Sequence, residues 1–354
     1  MIITSDLHHG IPGKLQDSIW AMDLISSVAK EKNEEDIIVL GDLFHNRLNL
    51  DVEAYSTVYD HLKKYRQIGQ NWISFPGNHD IYLKNSWTIN SLHPLKEIMT
   101  VHENQTTITI KDQKYHILPF ISKEQEYIQQ MIQIEEQANP DDILLTHIGV
   151  KGAKYNFCFL LQNWGKIDLE QTKFKRIYSG HFHCHQQVGT KLWYPGSPIP
   201  FRFDEGEVEH GFIHYHPKQN THEFIKTFKQ ETQNRPPDYI TIIDKDLEQN
   251  KEWIKGNKIR IILTQTYGTH ELQEMKNDLE THGAIGIKWH QEKEDSSKIN
   301  AQIKGLKGIK ETFISWINQE ETEGINKALI LKLFDQITDE AEERFHNRER
   351  DEDD

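Results

Sequence analysis

Five short apolar runs, each ending in a polar cluster, constrain the fold of this chain more strongly than any other feature. They are MIITSDLHHG, DIIVLGDLFHNR, NWISFPGNHD, DILLTHIGV and RIYSGHFHCH. Each run predicts a buried β-strand that delivers a loop at its carboxyl end. Two helical patterns, KLQDSIWAMDLISSVAKEKN and VEAYSTVYDHLKKYRQIG, separate the first three runs. This alternation predicts an α/β fold whose functional groups collect at the carboxyl ends of its strands.

Two further segments have a different pattern. TTITIKDQKYHILPF and GFIHYHPKQNTHEFIKTF each indicate a strand, a polar turn and a second strand. We interpret them as parts of a second, more antiparallel sheet that packs on the first. The fold class predicted for residues 1–234 is therefore α/β, a two-sheet sandwich flanked by helices.

The sequence changes character after RPPD at 235–238, which we interpret as a linker. Alternating strand and helix patterns over 239–292, with LEQNKEWIKG and ELQEMKNDLETHG as the helices, predict a small α/β cap domain. A charged hinge, EKEDSSK, then leads to a predicted helical segment at 300–345 and an acidic tail at 346–354. The helical segment has apolar stripes, which either pack on their own domain or dock on a partner helix.

Charge and cysteine content limit the classes of function. Two cysteines in 354 residues make no disulfide framework, so a reducing cytoplasm is expected. The sequence has neither a secretory signal pattern nor an apolar run long enough to span a membrane. A net charge of −14 argues against a nucleic-acid partner. However, the last fourteen residues contribute seven acids against three bases, and bound cations are missing from the count.

The polar residues at the five strand ends form one chemical set. They are Asp6, His8, Asp42, Asn78, His79, His147, His181 and His183. Carboxylate, amide and imidazole ligands without cysteine suit Mn, Fe or Zn in open catalytic sites. Without His79, seven candidates remain, which is too many for one ion but suits two ions about 3.5–4 Å apart that share a carboxylate. Strand alternation predicts that Asp6 and His8 face one side, as do His181 and His183.

These motifs resemble those of a known family. Asp6-x-His8, Gly41-Asp42, Gly77-Asn78-His79-Asp80, His147 in LLTHIG and Gly180-His181-x-His183 are similar to the five signatures of calcineurin-like metallophosphoesterases. GDLFHNR, FPGNHD and WYPGSP, with the cap and the helical carboxyl terminus, resemble the SbcD family. Members of that family are nuclease subunits that act with a coiled-coil ATPase on DNA ends in double-strand-break repair. The chain is short for that family, and its length is similar to that of phage-encoded members.

The resemblance implies a role for each site residue. Asp6, His8 and His183 would bind one metal, Asn78, His147 and His181 the other, and Asp42 would bridge them. His79 would be the general acid or a charge stabiliser. Asp80 either orients the His79 ring or is a turn residue.

The candidates for substrate binding are His45, Arg47 and Lys84, which follow GDLF or GNHD. In the SbcD family a histidine after GDLF lies near the DNA path, and the alternative for His45 is a role behind the metal ligands or at the surface. His185 and Cys184 are expected to stay outside the metal shell. The implied cofactors are two divalent metal ions, with Mn favoured over Mg, Fe or Zn.

The implied function is a metal-dependent DNA exonuclease and endonuclease subunit of DNA repair, recombination or replication. Its expected partners are DNA (duplex ends, single strands or hairpins), an SMC-like coiled-coil ATPase and a second copy of itself. No membrane partner is expected. The expected compartment is the cytoplasm of a bacterium or of a phage-infected host. The helical segment would then dock on the coiled coil. The alternative is a stand-alone dinuclear-metal phosphatase or cyclic-nucleotide phosphodiesterase, which shares the same metal core.

Overall fold

The five apolar runs form the strands that their patterns predict. The structure, a computed structural model, describes residues 1–83, 86–154, 168–206, 208–227 and 235–291. The five strands are β1 (Ile2–Thr4), β2 (Asp36–Val39), β3 (Asn71–Ser74), β9 (Ile143–His147) and β10 (Arg176–Gly180). Every candidate metal ligand lies at the carboxyl end of one of these strands or within a few residues after it.

Two mixed sheets contain these strands. The first sheet also includes β6 (Thr100–Val101), β13 (Gly211–His216) and β14 (Thr221–Lys226), and the second includes β7 (Thr106–Ile110), β8 (Gln113–Leu118), β11 (Gln186–Val188) and β12 (Leu192–Tyr194). The first sheet has the order β14–β13–β1–β2–β3–β6 and the second has the order β11–β12–β10–β9–β8–β7. Both sheets have a parallel centre, formed by β1, β2, β3 and β6 in the first and by β8, β9, β10 and β12 in the second.

The two predicted hairpins form, but not together in one sheet. β13 and β14 extend the first sheet, since β13 pairs antiparallel with β1. β7 and β8 extend the second sheet, since β8 pairs parallel with β9. The interpretation that both hairpins belong to a second, more antiparallel sheet is therefore wrong. Alternation in the sequence indicates a strand, whereas the sheet edge that the strand joins depends on contacts far away in the chain.

Alternate strand residues face different apolar layers. Ile2, Ile37 and Val39 pack under α1 (Leu15–Glu31) and α2 (Val52–Gln67) on the first sheet. Ile3 and Ile38 pack in the layer between the two sheets. α3 (Glu124–Gln137) covers the second sheet, where Tyr127, Met131 and Ile134 are buried. Because the central strands are buried on both faces, their sequences are continuous apolar runs and not alternating ones.

The region predicted as a cap forms a separate small sheet. Its strands are β15 (Tyr239–Ile243), β16 (Lys258–Leu263) and β17 (Gly286–Gln291), paired in that order, and its α-helix is α4 (Thr269–Thr281). The predicted helix over 247–256 is instead a short 3₁₀ helix, Glu248–Trp253. Gly256 follows it with a φ of +75°, which ends the turn. β4 (Ile81–Leu83) and β5 (Ser86–Asn90) form an antiparallel pair elsewhere.

The chain divides into two compact units. The first comprises Met1–Ile262 and Tyr267–His290, and the second comprises Leu263–Thr266 and Gln291–Asp354. The domain boundaries 1–234 and 239–292 stay predictions, and the helical segment 300–345 and the tail 346–354 lie outside the described residues. Among the described helices, none has the length and apolar character needed to cross a bilayer.

Candidate metal centre

Asp6, His8 and His183 form the first group of candidate ligands. Their ligand atoms all lie within 4.8 Å of one another. The Nε2 atoms of His8 and His183 are 3.0 Å apart, and Asp6 Oδ1 lies 3.9 Å from His8 Nε2. Two imidazole nitrogens at this separation either share a proton or bind the same cation.

Asn78, His147 and His181 form the second group. Asn78 Oδ1 lies 2.8 Å from His147 Nε2 and 2.9 Å from His181 Nδ1. The other ring nitrogen of His147 donates to the Leu40 carbonyl oxygen at 2.7 Å, which fixes the direction of Nε2. The ring is therefore held in the orientation that a ligating imidazole requires.

Asp42 lies between the two groups. Its Oδ2 is 3.8 Å from His8 Nε2 and 3.3 Å from His147 Nε2. Its Oδ1 accepts a hydrogen bond from the His79 backbone amide at 2.8 Å. One carboxylate oxygen thus faces both groups while the other anchors the adjacent loop. Asp42 is therefore the residue that both groups of ligands would share if each held a cation.

The electrostatics of the centre fit divalent cations. Burial lowers the pKa of His8 and of His181, so both imidazoles are neutral and have a lone pair for a metal. Burial acts against charge on His147 too, but Asp42 outweighs it and raises the pKa of His147 to about 9, so this ring must release a proton when it binds a metal. Burial would raise the pKa of Asp42, but His147 and His79 hold it well below its usual range. An ionised carboxylate among imidazoles is a donor set that suits Mn, Fe or Zn.

Backbone strain, and not strand alternation, brings the ligands together. β1 ends at Thr4 and β10 at Gly180, so the ligands that follow them lie beyond the strands. Four of the seven candidate ligands have positive φ values, which non-glycine residues rarely adopt. These are Asp6 at 53°, His8 at 46°, Asp42 at 54° and His181 at 101°. Such conformations cost about 1–3 kcal/mol each and persist only where the surroundings impose them.

Two glycines allow the loops to approach closely. A Cβ on Gly77 would lie 2.2 Å from Asp42 Oδ1, and one on Gly180 would lie 2.2 Å from Ser5 Oγ. Neither glycine has a positive φ, whereas Gly41 does, at +86°. Gly77 and Gly180 therefore serve close packing, and only Gly41 supplies an unusual backbone turn.

His79 lies beside the metal ligands. Its ring is 4.9 Å from the His8 ring in an edge-on arrangement, and its Nδ1 donates to the His45 carbonyl oxygen at 2.6 Å. A carbonyl oxygen only accepts, so Nδ1 carries the hydrogen, and Nε2 is the nitrogen available for proton transfer. Burial lowers the pKa of His79, although Asp42 acts to raise it.

Asp80 is tied to the loops that hold the ligands. Its carboxylate accepts hydrogen bonds from the backbone amides of Asp42 at 2.7 Å, Gly77 at 3.0 Å and Phe44 at 3.1 Å, and from the Ser91 hydroxyl at 3.2 Å. Burial and then the Asp42 carboxylate raise the pKa of Asp80 to about 7. These contacts join Asp80 to the loops that carry Asp42 and Asn78. Its two predicted roles, orienting the His79 ring or serving as a turn residue, both stay predictions.

Two of the three residues predicted to bind substrate lie near His79, and the third is outside the described residues. The His45 ring stacks on the His79 ring at 5.3 Å, with 11° between their planes. Burial, then the neighbouring His79, lowers the pKa of His45 to about 4, so this ring is neutral near pH 7. Arg47 is close enough for its charge to lower the pKa of His79. Lys84 lies outside the described residues.

His185 and Cys184 make contacts that differ from those of the metal ligands. His185 Nδ1 donates to the Tyr194 carbonyl oxygen at 3.0 Å, and its ring stacks on Phe224 at 3.6 Å. Cys184 is buried, as expected for a small apolar residue. Gly196, in the WYPGSP segment, packs against the backbone of His183, where a Cβ would lie 2.6 Å from the carbonyl oxygen.

Glu205 is a site residue that the sequence motifs do not reveal. Its Oε1 accepts from His183 Nδ1 and from Arg202 Nε, both at 2.9 Å, and its Oε2 accepts from the Phe201 amide at 2.8 Å. Burial would raise the pKa of Glu205, but His183 outweighs it and lowers the pKa to about 2. The ionised carboxylate therefore orients His183 so that Nε2 faces His8. No spacing distinguishes Glu205 among the 55 acidic residues of the chain.

Replacing Glu205 with glutamine is expected to weaken Mn²⁺ binding by about 10–100-fold, because His183 loses its charged acceptor. Titration of the metal-stripped protein with Mn²⁺, followed by electron paramagnetic resonance of the free ion, measures this change. Glu280→Gln is the matched control, since Glu280 is exposed on α4. An affinity equal to that of the wild type would show that His183 is oriented without Glu205.

Comparison with known proteins agrees with this geometry. Residues 1–185 match the family described as calcineurin-like phosphoesterases. The chain is similar to the nuclease MPE of Pseudomonas putida, at 12% identity over 54% of this chain and 65% of that chain, with a TM-score of 0.27. It is also similar to the Aquifex aeolicus protein AQ665, of unknown function, at 17% identity over 42% of this chain and 80% of that chain, with a TM-score of 0.27. No curated protein sequence matches the chain.

The chain spans just under two thirds of the nuclease, at 65% of its length. The family match covers more than half of the 354 residues and includes every candidate metal ligand.

Proposed function

Because this chain belongs to the calcineurin-like phosphoesterase family, a family of hydrolases that act on phosphoester bonds, we propose that it is the nuclease subunit of a DNA-end-processing complex. It would cleave DNA phosphodiester bonds, with Mn²⁺ as its preferred metal, as a homodimer bound to a coiled-coil ATPase. The observation that carries the hydrolytic part is the convergence of two ligand groups on Asp42 Oδ2, at 3.8 Å from His8 and 3.3 Å from His147.

The chain's own residues account for most of the proposed mechanism. When bound, two divalent cations would activate water and offset negative charge on the phosphate. Asp6, His8 and His183 would hold one cation, and Asn78, His147 and His181 the other, while Asp42 joins the groups. Glu205 keeps His183 in place through its hydrogen bond of 2.9 Å.

His79 is the residue suited to the leaving group. It is not one of the metal ligands, yet its backbone amide is bonded to Asp42 and its ring lies against His8. With Nδ1 fixed on the His45 carbonyl, a proton on Nε2 would be given to the departing sugar oxygen. Burial lowers the pKa of His79, and the negative charge of a bound phosphodiester would favour its protonated form.

The position of the cap favours a long substrate over a small one. A short loop after Phe201 contacts both the metal centre and the cap sheet. Asp204 accepts from Arg260 Nη1 of β16 at 3.1 Å, and the Phe203 ring packs edge-on against Tyr239 of β15 at 4.9 Å. The next residue of this loop is Glu205, which bonds His183. A polymer held at the metal centre would therefore border the cap, whereas an aryl phosphate or a cyclic nucleotide would not need it.

A substrate panel with Mn²⁺ tests the proposal. The panel contains duplex DNA with free ends, single-stranded DNA, a DNA hairpin, a cyclic nucleotide and an aryl phosphate. We expect cleavage of the DNA substrates by the wild type and none by Asp42→Asn, which controls for contaminating nucleases. Activity confined to the small phosphoesters would instead establish the phosphatase or cyclic-nucleotide phosphodiesterase function.

A further inference from the structure

A second cluster of metal-ligating side chains lies on the β13–β14 hairpin and includes no ligand of the catalytic centre. His214 and His216 are two residues apart on β13, so they face the same side of the strand. Glu223 on β14 stands opposite His214 in the antiparallel register. One ligand atom from each of the three residues lies within 4.8 Å of the others, and the two imidazole rings are 4.2 Å apart.

The two nitrogens of His214 provide an independent observation. The His214 side chain is only 8% exposed, and its Nε2 donates to Glu34 Oε1 at 3.0 Å. Its Nδ1 is buried and has no hydrogen-bond partner within the part of the chain that the structure describes. A buried nitrogen left without a partner is destabilising, so it calls for an explanation.

The protonation of His214 leaves this Nδ1 available to a metal. The Glu34 carboxylate only accepts, so His214 Nε2 carries a hydrogen, and Nδ1 is the nitrogen that can offer a lone pair to a metal. Glu34 is itself paired with the amino terminus of Met1 at 2.8 Å and with Lys111. An ionised carboxylate bonded to one imidazole nitrogen, with the other nitrogen bare, is the arrangement usual for a metal-ligating histidine.

We propose that His214 Nδ1, His216 and Glu223 bind a zinc ion at a site separate from the catalytic centre. Two imidazoles and one carboxylate match the zinc donor set, and water would take the fourth position. Zinc–nitrogen bonds of about 2.0–2.1 Å place ligand atoms closer together than the 4.8 Å limit within which these three lie. Glu223 is 58% exposed, so its carboxylate would reach the ion by rotating, and its Oε2 would then leave or share Lys32 Nζ, which is 3.4 Å away.

Zinc counting with single-residue variants tests the site. The wild type and His216→Ala, both freed of metal, are dialysed against micromolar zinc, and bound zinc is measured by mass spectrometry. We expect His216→Ala to bind about one zinc ion fewer per chain than the wild type. His270→Ala, which removes an exposed histidine of α4, is expected to bind as much as the wild type.

A second variant and a second measurement guard against a folding effect. Glu223→Ala changes an exposed side chain and is expected to lose the same zinc ion. Mn²⁺-dependent phosphodiesterase activity is expected to persist in both His216→Ala and Glu223→Ala. Equal zinc content in the wild type, His216→Ala and Glu223→Ala would overturn the second site. That result would leave the proposed nuclease function untouched, since the readout is zinc content and not cleavage.

Discussion

Replacing His79 with alanine is expected to lower kcat for DNA cleavage by about 10²–10⁴-fold, the usual contribution of a general acid, with bound Mn²⁺ unchanged. We expect kcat to fall while Mn²⁺ binding is unchanged, because His79 is next to the metal ligands but belongs to neither ligand group. His79→Asn keeps an amide donor near the position of Nδ1, for the His45 carbonyl, but has no nitrogen that titrates near neutral pH. It should be as inactive as His79→Ala if proton transfer, and not ring position, is what matters.

The leaving group provides a sharper readout for the same variant. An aryl phosphodiester needs little protonation of its departing oxygen, whereas a sugar oxygen needs much. The loss of activity in His79→Ala should therefore be clearly smaller on an aryl diester than on DNA, measured as kcat with each substrate. His270→Ala serves as the matched control, because it removes an exposed histidine far along the chain. Equal losses on both substrates would contradict a proton-donating role and would favour one in holding the phosphate.

The strand ends were predictable because the signal is local. The sequence of a buried parallel strand is an apolar run. The polar residues that follow this run lie at the carboxyl edge of the sheet. The ligands after β1, β2 and β3 can thus be identified from the amino-acid sequence alone. Strand alternation, however, does not explain their convergence, because these ligands lie beyond the ends of the strands. Asp6 and His8 turn towards the metal centre through positive φ values, at 53° and 46°, and no residue type in the sequence requires these values.

Features that depend on distant pairing were not predictable. β13 pairs with β1 and β8 pairs with β9, so each hairpin completes a different sheet. Nothing in either hairpin's own alternation distinguishes these partners, because alternation records which face of a strand is buried and not which strand lies beside it. Glu205 was missed for a related reason. Its partner His183 lies 22 positions earlier, and only the folded loop brings the two within 2.9 Å.

Replacing Asp80 with alanine is expected to lower the free energy of unfolding by about 3 kcal/mol or more, since each buried donor left without a partner costs about 1–3 kcal/mol. Asp80 Oδ2 accepts from Asp42 and Gly77, while Oδ1 accepts from Phe44 and Ser91. The carboxylate thereby joins the loops after β2 and β3, which hold Asp42 and Asn78. Loss of this connection should also release the strained backbone of Asp42, whose φ is 54°.

The Asp80→Asn variant removes the negative charge of this side chain and keeps its shape. Asp80→Asn keeps one acceptor oxygen but points an NH₂ group at amides that also donate, so its destabilisation should be nearly as large as that of alanine. Urea unfolding midpoints of both variants measure the change, with the exposed Asp141→Asn as the matched control. A midpoint for Asp80→Asn equal to that of the wild type would mean that these amides find other acceptors. The ligand loops would then depend on the close packing at Gly77, where a Cβ would lie 2.2 Å from Asp42 Oδ1, for their geometry.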